Sequence, residues 1–566
     1  MPEPVGEKLD SVFEERAEFL SRTNLVNWTR ITSANRKTLT KLKGPGAKLL
    51  TGPRGSGKST LMKAAYYELF DGSDALPVYV NYARSMALEP LFHRTGNALQ
   101  IFRQWIVMKA VIGVQDTFRE LQIPSPASLD RLAGQAESYI GALTVGQDPP
   151  ALETLIGPTQ LTDLVADWSR QAGRRRAVLF LDDAAHAFSP QQQREFFEIF
   201  RELRTRAVAP KAAVYPGITS YSPYLHVGND AELVEAWFRP DSDDFLDTMR
   251  SIIEQRLPHR LRSHLEGRGD LIDYLALASF GLPRGFLVML SSVLGLDDDE
   301  SASSLATPSK KDADSAVGTH ADTVRSIFDS LGQKMPRYRN FVAVGDEVEQ
   351  QMLAQLRRFN VGKDLSEKAV VIAIALPIAN ELIRVLDMLE YSGTVRKLDT
   401  VSRGVKGVFQ RYEMHYALVV QKNALSLGRS PSVPRTISAL RARNAHAFVR
   451  TTGQRLVAGE LAERCTLDLD PCQACGAPRL NEEAQFCMKC GSRLSEASIY
   501  EELLKAPIER LPLTPNKLTA LKNGTAIRRV KDVLLDQEST EILKAHYVGP
   551  YWAKRIQLYA EEYVNV

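Results

Sequence analysis

Eight residues constrain this chain more than any others: Gly52-Pro-Arg-Gly-Ser-Gly-Lys-Ser59. They fit G-x-x-x-x-G-K-[ST], with the required flanks: an apolar run, Ala47-Lys-Leu-Leu-Thr51, before the pattern and a helical stretch, Lys58 to Leu69, after it. Glycines 52, 55 and 57 let backbone N–H groups turn inward around an anion, and the N-terminus of the following helix adds partial positive charge. The geometry suits a nucleotide polyphosphate, so ATP is the expected ligand. It would be cradled by Gly52, Pro53, Arg54, Gly55, Ser56, Gly57, Lys58, Ser59 and Thr60. Lys58 would reach the β- and γ-phosphates, and the Ser59 hydroxyl would ligate Mg²⁺.

The surrounding sequence reads as α/β. From about residue 45 to 290, short apolar runs alternate with longer helical patterns, which predicts a parallel sheet. Four strands are expected, at Ala47–Thr51, Leu76–Asn81, Ala177–Leu181 and Lys211–Tyr215. The third runs into Asp182 and Asp183 at the carboxyl edge, where ligands of such sheets bind. Asp182 would hold Mg²⁺, and Asp183 is placed to act as a general base; capping of the next helix is the other reading of both. The fourth ends at Tyr215-Pro-Gly-Ile-Thr-Ser220, which offers Thr219 or Ser220 as a polar sensor of the γ-phosphate or as a turn former. Helical segments from about Asp243 to Leu294 break at Gly281-Leu-Pro-Arg284, with the Pro suited to a first turn and Arg284 positioned as a phosphate-sensing lid residue.

P-loop, Asp-Asp strand, polar strand end and Gly-x-Pro-Arg, in that order, resemble the AAA+ superfamily and its STAND relatives, with the origin-recognition initiator ATPases as the nearest group. The resemblance spans about residues 20 to 450 and implies Walker A, Walker B, sensor 1 and sensor 2 roles for these motifs, with a winged helix after the lid. Two departures stand out: Asp183 occupies the place where AAA+ enzymes usually carry Glu, and no arginine finger has a clear signature among Arg201, Arg204, Arg206 and Arg239. A slowly hydrolysing switch follows more naturally than an obligatory ring, and nucleotide-dependent self-association stays open.

Residues 296–322, rich in Asp, Ser, Ala and Lys without an apolar period, read as a flexible linker. Beyond them, helical patterns over Val370–Tyr391 and two strands, Gly393–Leu398 and Phe409–Val420, suggest a winged helix. Arg396, Lys397, Arg403 and Lys406 surround its hairpin, and Arg429, Arg435, Arg441, Arg443 and Arg450 follow; with Tyr412 and Tyr416 they suit DNA-backbone contact, or a solvated basic face.

The chain has five cysteines. Four form two matched knuckles, Cys472-Gln-Ala-Cys475 and Cys487-Met-Lys-Cys490, each followed by Gly, which predicts a structural Zn²⁺ ribbon in preference to a redox pair. Cys465 reads as packing. The segment after Pro507, with Val548-Gly-Pro550 ahead of Lys554 and Arg555, resembles a helix-hairpin-helix domain of the kind ending the RNA polymerase alpha subunit.

The expected order is an N-terminal helical segment (1–40), the P-loop core (41–235), a helical lid (236–295), the linker (296–322), a winged-helix-like domain (323–455), the zinc ribbon (465–495) and the helix-hairpin-helix-like domain (500–566). No apolar run is long enough to span a bilayer and no secretory leader is apparent, so a cytoplasmic protein is expected. The function expected is an ATP switch coupled to DNA, with protein partners also expected. The alternative is a STAND-like assembly ATPase, as in defence against phage, whose later modules bind protein.

Overall fold

The computed structural model describes residues 13, 17, 20–28, 33–82, 88, 97–144, 147–152, 155–183, 190–296, 307–442, 447–479, 481, 484, 486–494, 499–513, 515–546 and 548–564. Helices α1 (Arg22–Trp28) and α2 (Ser33–Lys43) precede β1 (Ala47–Thr51), and α3 (Lys58–Phe70) and β2 (Ala75–Asn81) come after it. Then come α4 (Ala98–Leu121), α5 (Ala127–Thr144), α6 (Pro158–Gln171), β3 (Arg176–Asp182), α7 (Pro190–Glu202), β4 (Val208–Val214) and β5 (Ala231–Glu235). The five strands are all parallel, in the order β2-β3-β4-β1-β5.

Alternation along each strand feeds two separate cores. Leu49, Leu179, Leu181 and Ala212 pack against α4 to α7, while Leu50, Val178, Phe180 and Ala213 pack against α2 and α3. Strands covered on both faces must be apolar throughout, which is why four of the five announce themselves in the sequence. The fifth, β5, lies at the sheet edge with alternating exposure, including exposed Leu233, and so lacks that signature.

The lid comprises α8 (Phe245–Arg256), α9 (His259–Ser263), α10 (Gly269–Ala278) and α11 (Pro283–Val293), with Pro283 in the first turn of α11. A long helix, α12 (Lys310–Lys334), occupies half of the expected linker and corrects that expectation; Ser309 caps it in a reciprocal capping box with Asp312. Its buried stripe of Ala313, Ala316, Val317, Ala321, Val324, Phe328 and Leu331 begins with alanines, too small to register as an apolar period against Asp and Ser. Residues 297–306 of the expected linker, together with Arg443 and Tyr547, lie outside the described residues.

Helix α13 (Arg339–Asn360) leads to β6 (Val371–Ala375), where a helical pattern was expected; five apolar residues carry no period that separates strand from helix. Next in the chain are α14 (Asn380–Tyr391), the hairpin β7 (Val395–Ser402) and β8 (Val408–Met414), α15 (Tyr416–Gln421), α16 (Val433–Leu440), β9 (Val449–Thr451) and α17 (Leu461–Arg464). The expected strand through Val420 therefore stops at Met414, because the His415 side chain accepts from the Ala417 N–H and starts α15. The second sheet runs β7-β8-β6-β9, mixed in direction. Its inner face and the lid share one core: Phe286 and Leu290 belong with Val317, Val348, Ile372 and Leu386.

A cysteine-bearing loop region precedes the last helical module, α18 (Ile499–Lys505), α19 (Pro515–Gly524), α20 (Val530–Leu535) and α21 (Pro550–Val564). That module has its own core, including Leu521, Val530, Ile542, Trp552 and Ile556. No described helix is long and apolar enough to cross a membrane.

Candidate nucleotide site

The loop between β1 and α3 turns through Gly55 (φ 82°) and Gly57 (φ 91°), left-handed conformations that side chains disfavour. Gly57 is the residue just before α3, so the loop's N–H groups and the helix end converge. Lys58 is buried; its Nζ donates to the carbonyls of Gly52 (2.6 Å) and Pro53 (3.1 Å) and lies 3.8 Å from the ring centroid of Tyr215. Burial pulls the ammonium down to about 7, against the opposing pull of Asp183 and Asp182. The Ser56 hydroxyl is fully buried without a hydrogen-bond partner, a polar group that an anion in the loop would satisfy.

Sheet order does the rest. Because β4 lies between β1 and β3, the turn after β4 sits between the loop and the acids of β3. Asp182 is buried, accepts from the Tyr79 hydroxyl on neighbouring β2, and is bonded by Ser59. Burial, and then the adjacent Asp183 carboxylate, raise Asp182 above the usual carboxylate range. A serine hydroxyl facing a carboxylate is a hard-oxygen pair that fits Mg²⁺. Asp183 takes a left-handed backbone (φ 51°) and accepts from the Tyr215 hydroxyl at 3.3 Å. Thr219 closes the turn after β4: its hydroxyl donates to the Tyr215 carbonyl (2.7 Å) and accepts from the Tyr215 N–H (3.1 Å). The N–H of Ser220 donates to Gln193 Oε1 at 2.6 Å. Thr219 thereby fixes the backbone of the tyrosine that covers Lys58.

From the lid, Arg284 leans on the loop, its Cβ 3.1 Å from where a Cβ on Gly55 would stand. Arg54 lies on the same side, and both guanidiniums meet Glu562 of α21. Tyr391, at the end of α14, packs edge-on against Tyr215 with ring centroids 5.3 Å apart. The residues that sequence reasoning missed are thus Tyr79, Tyr215, Tyr391 and Glu562. Tyr79 and Tyr215 could have been found, since both lie toward the carboxyl ends of strands already assigned, Tyr79 two residues before the end of β2 and Tyr215 just after β4. Tyr391 and Glu562 arrive only through tertiary packing.

The sequence of this loop matches a known family: residues 20–77 fit the P-loop containing region of the AAA domain. Residues 20–77 are similar to an AAA-type P-loop region. With the parallel sheet, that makes the first unit a P-loop NTPase fold. No curated protein matches the chain. Among solved structures, it is similar to the Walker-type ATPase paby2304 of Pyrococcus abyssi at 14% identity and a TM-score of 0.38, over 73% of this chain and 99% of that one. Cdc6p from Pyrobaculum aerophilum is similar at 13% identity and a TM-score of 0.31, over 74% and 97% of the two chains. The Orc1 protein of Aeropyrum pernix in complex with DNA is similar at 16% identity and a TM-score of 0.29, over 72% and 96%.

Around the AAA-type loop, the arginines considered as fingers are engaged locally: Arg201 with Glu198, Arg204 with Asp230 and Arg239 with Asp241. Arg206 is exposed.

The four knuckle cysteines come together, their sulfurs all within 4.8 Å of one another. Sulfurs about 2.3 Å from one tetrahedral ion would stand about 3.8 Å apart; Cys472 and Cys490 are at 3.6 Å and Cys475 and Cys487 at 3.7 Å. Each knuckle turns through a left-handed glycine, Gly476 (φ 68°) and Gly491 (φ 71°), and the Lys489 N–H points at Cys487 Sγ. A soft tetrahedral cation such as Zn²⁺ fits this set. Cys465 is packed in the large core, where burial pushes its thiol up to about 11.

Three of the residues considered for DNA contact are corrected by the fold. Arg396 is buried over the Trp237 ring and paired with Glu235 and Glu413, and Tyr412 and Tyr416 are core residues. Lys397, Arg429, Arg435, Arg441 and Arg450 are exposed.

Proposed function

We propose that this protein is an ATP-driven switch whose nucleotide state controls a DNA-binding hairpin. One observation carries the reading: α14 touches the nucleotide loop at one end and continues directly into the hairpin. Tyr391 packs on Tyr215, which covers Lys58; Asp387 presses its backbone against Gly217 of the turn after β4; and Gly393 (φ 80°) redirects the chain into β7 beside Pro53 and Leu282. A phosphate that drew Lys58 away from Tyr215 would shift the footing of α14, and with it the hairpin.

At the hairpin tip, Val405 is fully exposed between Gly404 and Gly407, Arg403 lies over the Phe448 ring, and Arg450 is exposed on the neighbouring strand β9. We read this unit as winged-helix-like, with the tip entering a groove while the arginines hold phosphates. In the last module, Val548-Gly-Pro550 leads into α21, where Arg555 stacks between Trp552 and Tyr559; we assign it an accessory DNA or partner contact of helix-hairpin-helix type.

Hydrolysis is expected to be slow. Mg²⁺ held by Ser59 and Asp182 would supply charge neutralisation on the phosphates. Asp183 is the acid placed to accept a proton from water, with Thr219 and Tyr215 holding its surroundings and Arg284 closing from the lid.

A mobility shift across a salt titration, with and without ATP, tests the switch. DNA affinity should fall steeply with salt and change with ATP in the wild type, and lose the ATP dependence in Lys58→Ala. Affinity indifferent to ATP would overturn the reading.

The exposure of Phe486 (59%) and Met488 (91%) on the cysteine knuckles favours a second reading, in which the ribbon docks a protein and ATP controls assembly. ATP-dependent growth in light scattering, without DNA binding, would select it.

A further inference from the structure

Glu562, near the end of α21, sits against the two arginines that flank the nucleotide loop. Its Oε1 lies 3.3 Å from Nη1 of Arg284 and 3.5 Å from Nη2 of Arg54. All three side chains are largely withdrawn from solvent, so the attraction is weakly screened. Lys334, buried at the end of α12, lies in the same carboxylate's surroundings, where burial, and then the Arg54 charge, hold its ammonium well below the usual lysine range. The next residue of α21 secures the placement: the Tyr563 hydroxyl donates to Gln333 Oε1 at 2.8 Å, and its ring faces Lys334.

This carboxylate stands where polyphosphate oxygens would be expected to draw the same groups. Arg54 belongs to the loop itself, and Arg284 rests on Gly55. Guanidiniums satisfy carboxylates and phosphates with the same paired N–H geometry, so they cannot serve Glu562 and a nucleotide fully at once. Helix α21 packs in the core of the last module, yet its Glu562 reaches these arginines.

We propose that Glu562 is a built-in competitor for the phosphate-binding arginines, and that a bound nucleoside triphosphate releases α21 from the ATPase unit. The proposal rests on the nucleotide-binding reading of the loop and adds its output: the last helical module is held while the site is closed by Glu562 and freed when nucleotide takes the arginines. Linkage makes the effect reciprocal, so whatever factor Glu562 costs the nucleotide, the nucleotide costs the docking of α21.

Two measurements on the full chain test it. Titration with a fluorescent ATP analogue and Mg²⁺ should show Glu562→Gln binding about tenfold more tightly than wild type, within the usual range of such couplings. The gain should shrink in the Arg54→Ala background and vanish when Arg54→Ala and Arg284→Ala are combined. Hydrogen exchange over residues 550–564 should quicken in the wild type when the analogue is added, and be fast already in Glu562→Gln. Equal affinities for wild type and variant overturn the competition, and unchanged exchange on binding overturns the release. Failure of both proteins to bind the analogue at all would instead overturn the nucleotide reading, and this proposal with it.

Discussion

In the five-stranded sheet every strand is parallel and both faces are roofed by helices, whereas in the four-stranded sheet the inner face is buried and the distal half of the hairpin meets solvent. The first arrangement leaves chemistry nowhere to go except the strand ends, and there Lys58, Asp182, Asp183 and Tyr215 gather. The second leaves a strand tip and part of an outer face open, and these carry Val405, Arg403 and Arg450 around a small apolar cluster of Ala373, Phe409 and Phe448 flanked by Val371, Ala375 and Val401. A sealed sheet builds a site at its edge; a half-open one builds a surface. Joining them through α14 puts the site in a position to move the surface.

The largest effect expected from this contrast concerns burial. Phe180 is wholly enclosed between β3 and α3, and Phe180→Ala should cost about 3–5 kcal/mol in denaturant unfolding. Phe409 belongs to the small outer patch, and Phe409→Ala should cost markedly less, on the order of 1–2 kcal/mol, because its neighbours can relax into solvent. Equal costs would mean that the outer face of the second sheet is as sealed as the first sheet.

Next is the division of labour. Lys58→Ala should weaken nucleotide binding by about 100-fold or more, since a charged donor to phosphate is removed from a dry site. It should leave nucleotide-free DNA binding intact. Calorimetric titration with ATP and a mobility shift without it would check both halves, and loss of both together would erase the distinction between site and surface.

Legibility in the sequence divides along the same line. The octet at Gly52–Ser59, its flanking strand and helix, and Asp182 could be read because loop, strand and helix are consecutive and their chemistry is local. The cysteine knuckles were legible for the same reason, as spacing alone brings each pair together. In the second unit, local pattern misled: the alanine stripe of α12 looked like linker, the five apolar residues of β6 looked helical, and Arg396 looked like a surface cation. Arg396 is buried because Glu235, Glu413 and Trp237 come to it from separate elements, and no short window contains that information. Tyr391 and Glu562 reach the nucleotide loop in the same way.

A smaller effect is expected at the surface proposed to meet DNA. The double substitution Arg403→Ala and Arg450→Ala removes two cations from the open part of the second sheet. It should lower DNA affinity about tenfold at moderate salt and reduce the slope of log affinity against log salt by about 2. Nucleotide affinity should stay within a factor of about two, since neither residue approaches the loop. An unchanged salt slope would place the DNA contacts elsewhere.

The smallest effect probes the joint between the two regions. Glu390, on α14, accepts from the Lys397 N–H of β7 at 3.2 Å and so ties the helix to the hairpin. Burial pushes its carboxyl up to about 7, despite that N–H and the Lys397 charge, and Asp387 and Glu235 push the same way. The ordinary value is 4.5, so between 4.5 and 7 the native state keeps a proton that the unfolded chain has lost. Stability from this group therefore falls as pH rises through that window, and the full penalty stands above 7. Glu390→Gln keeps an acceptor for Lys397 and removes the charge. Its stability gain over wild type should be roughly 1–2 kcal/mol at pH 8 and vanish near pH 4.5, as read from denaturant midpoints. A gain independent of pH would show that packing, not ionisation, governs the joint between α14 and the hairpin.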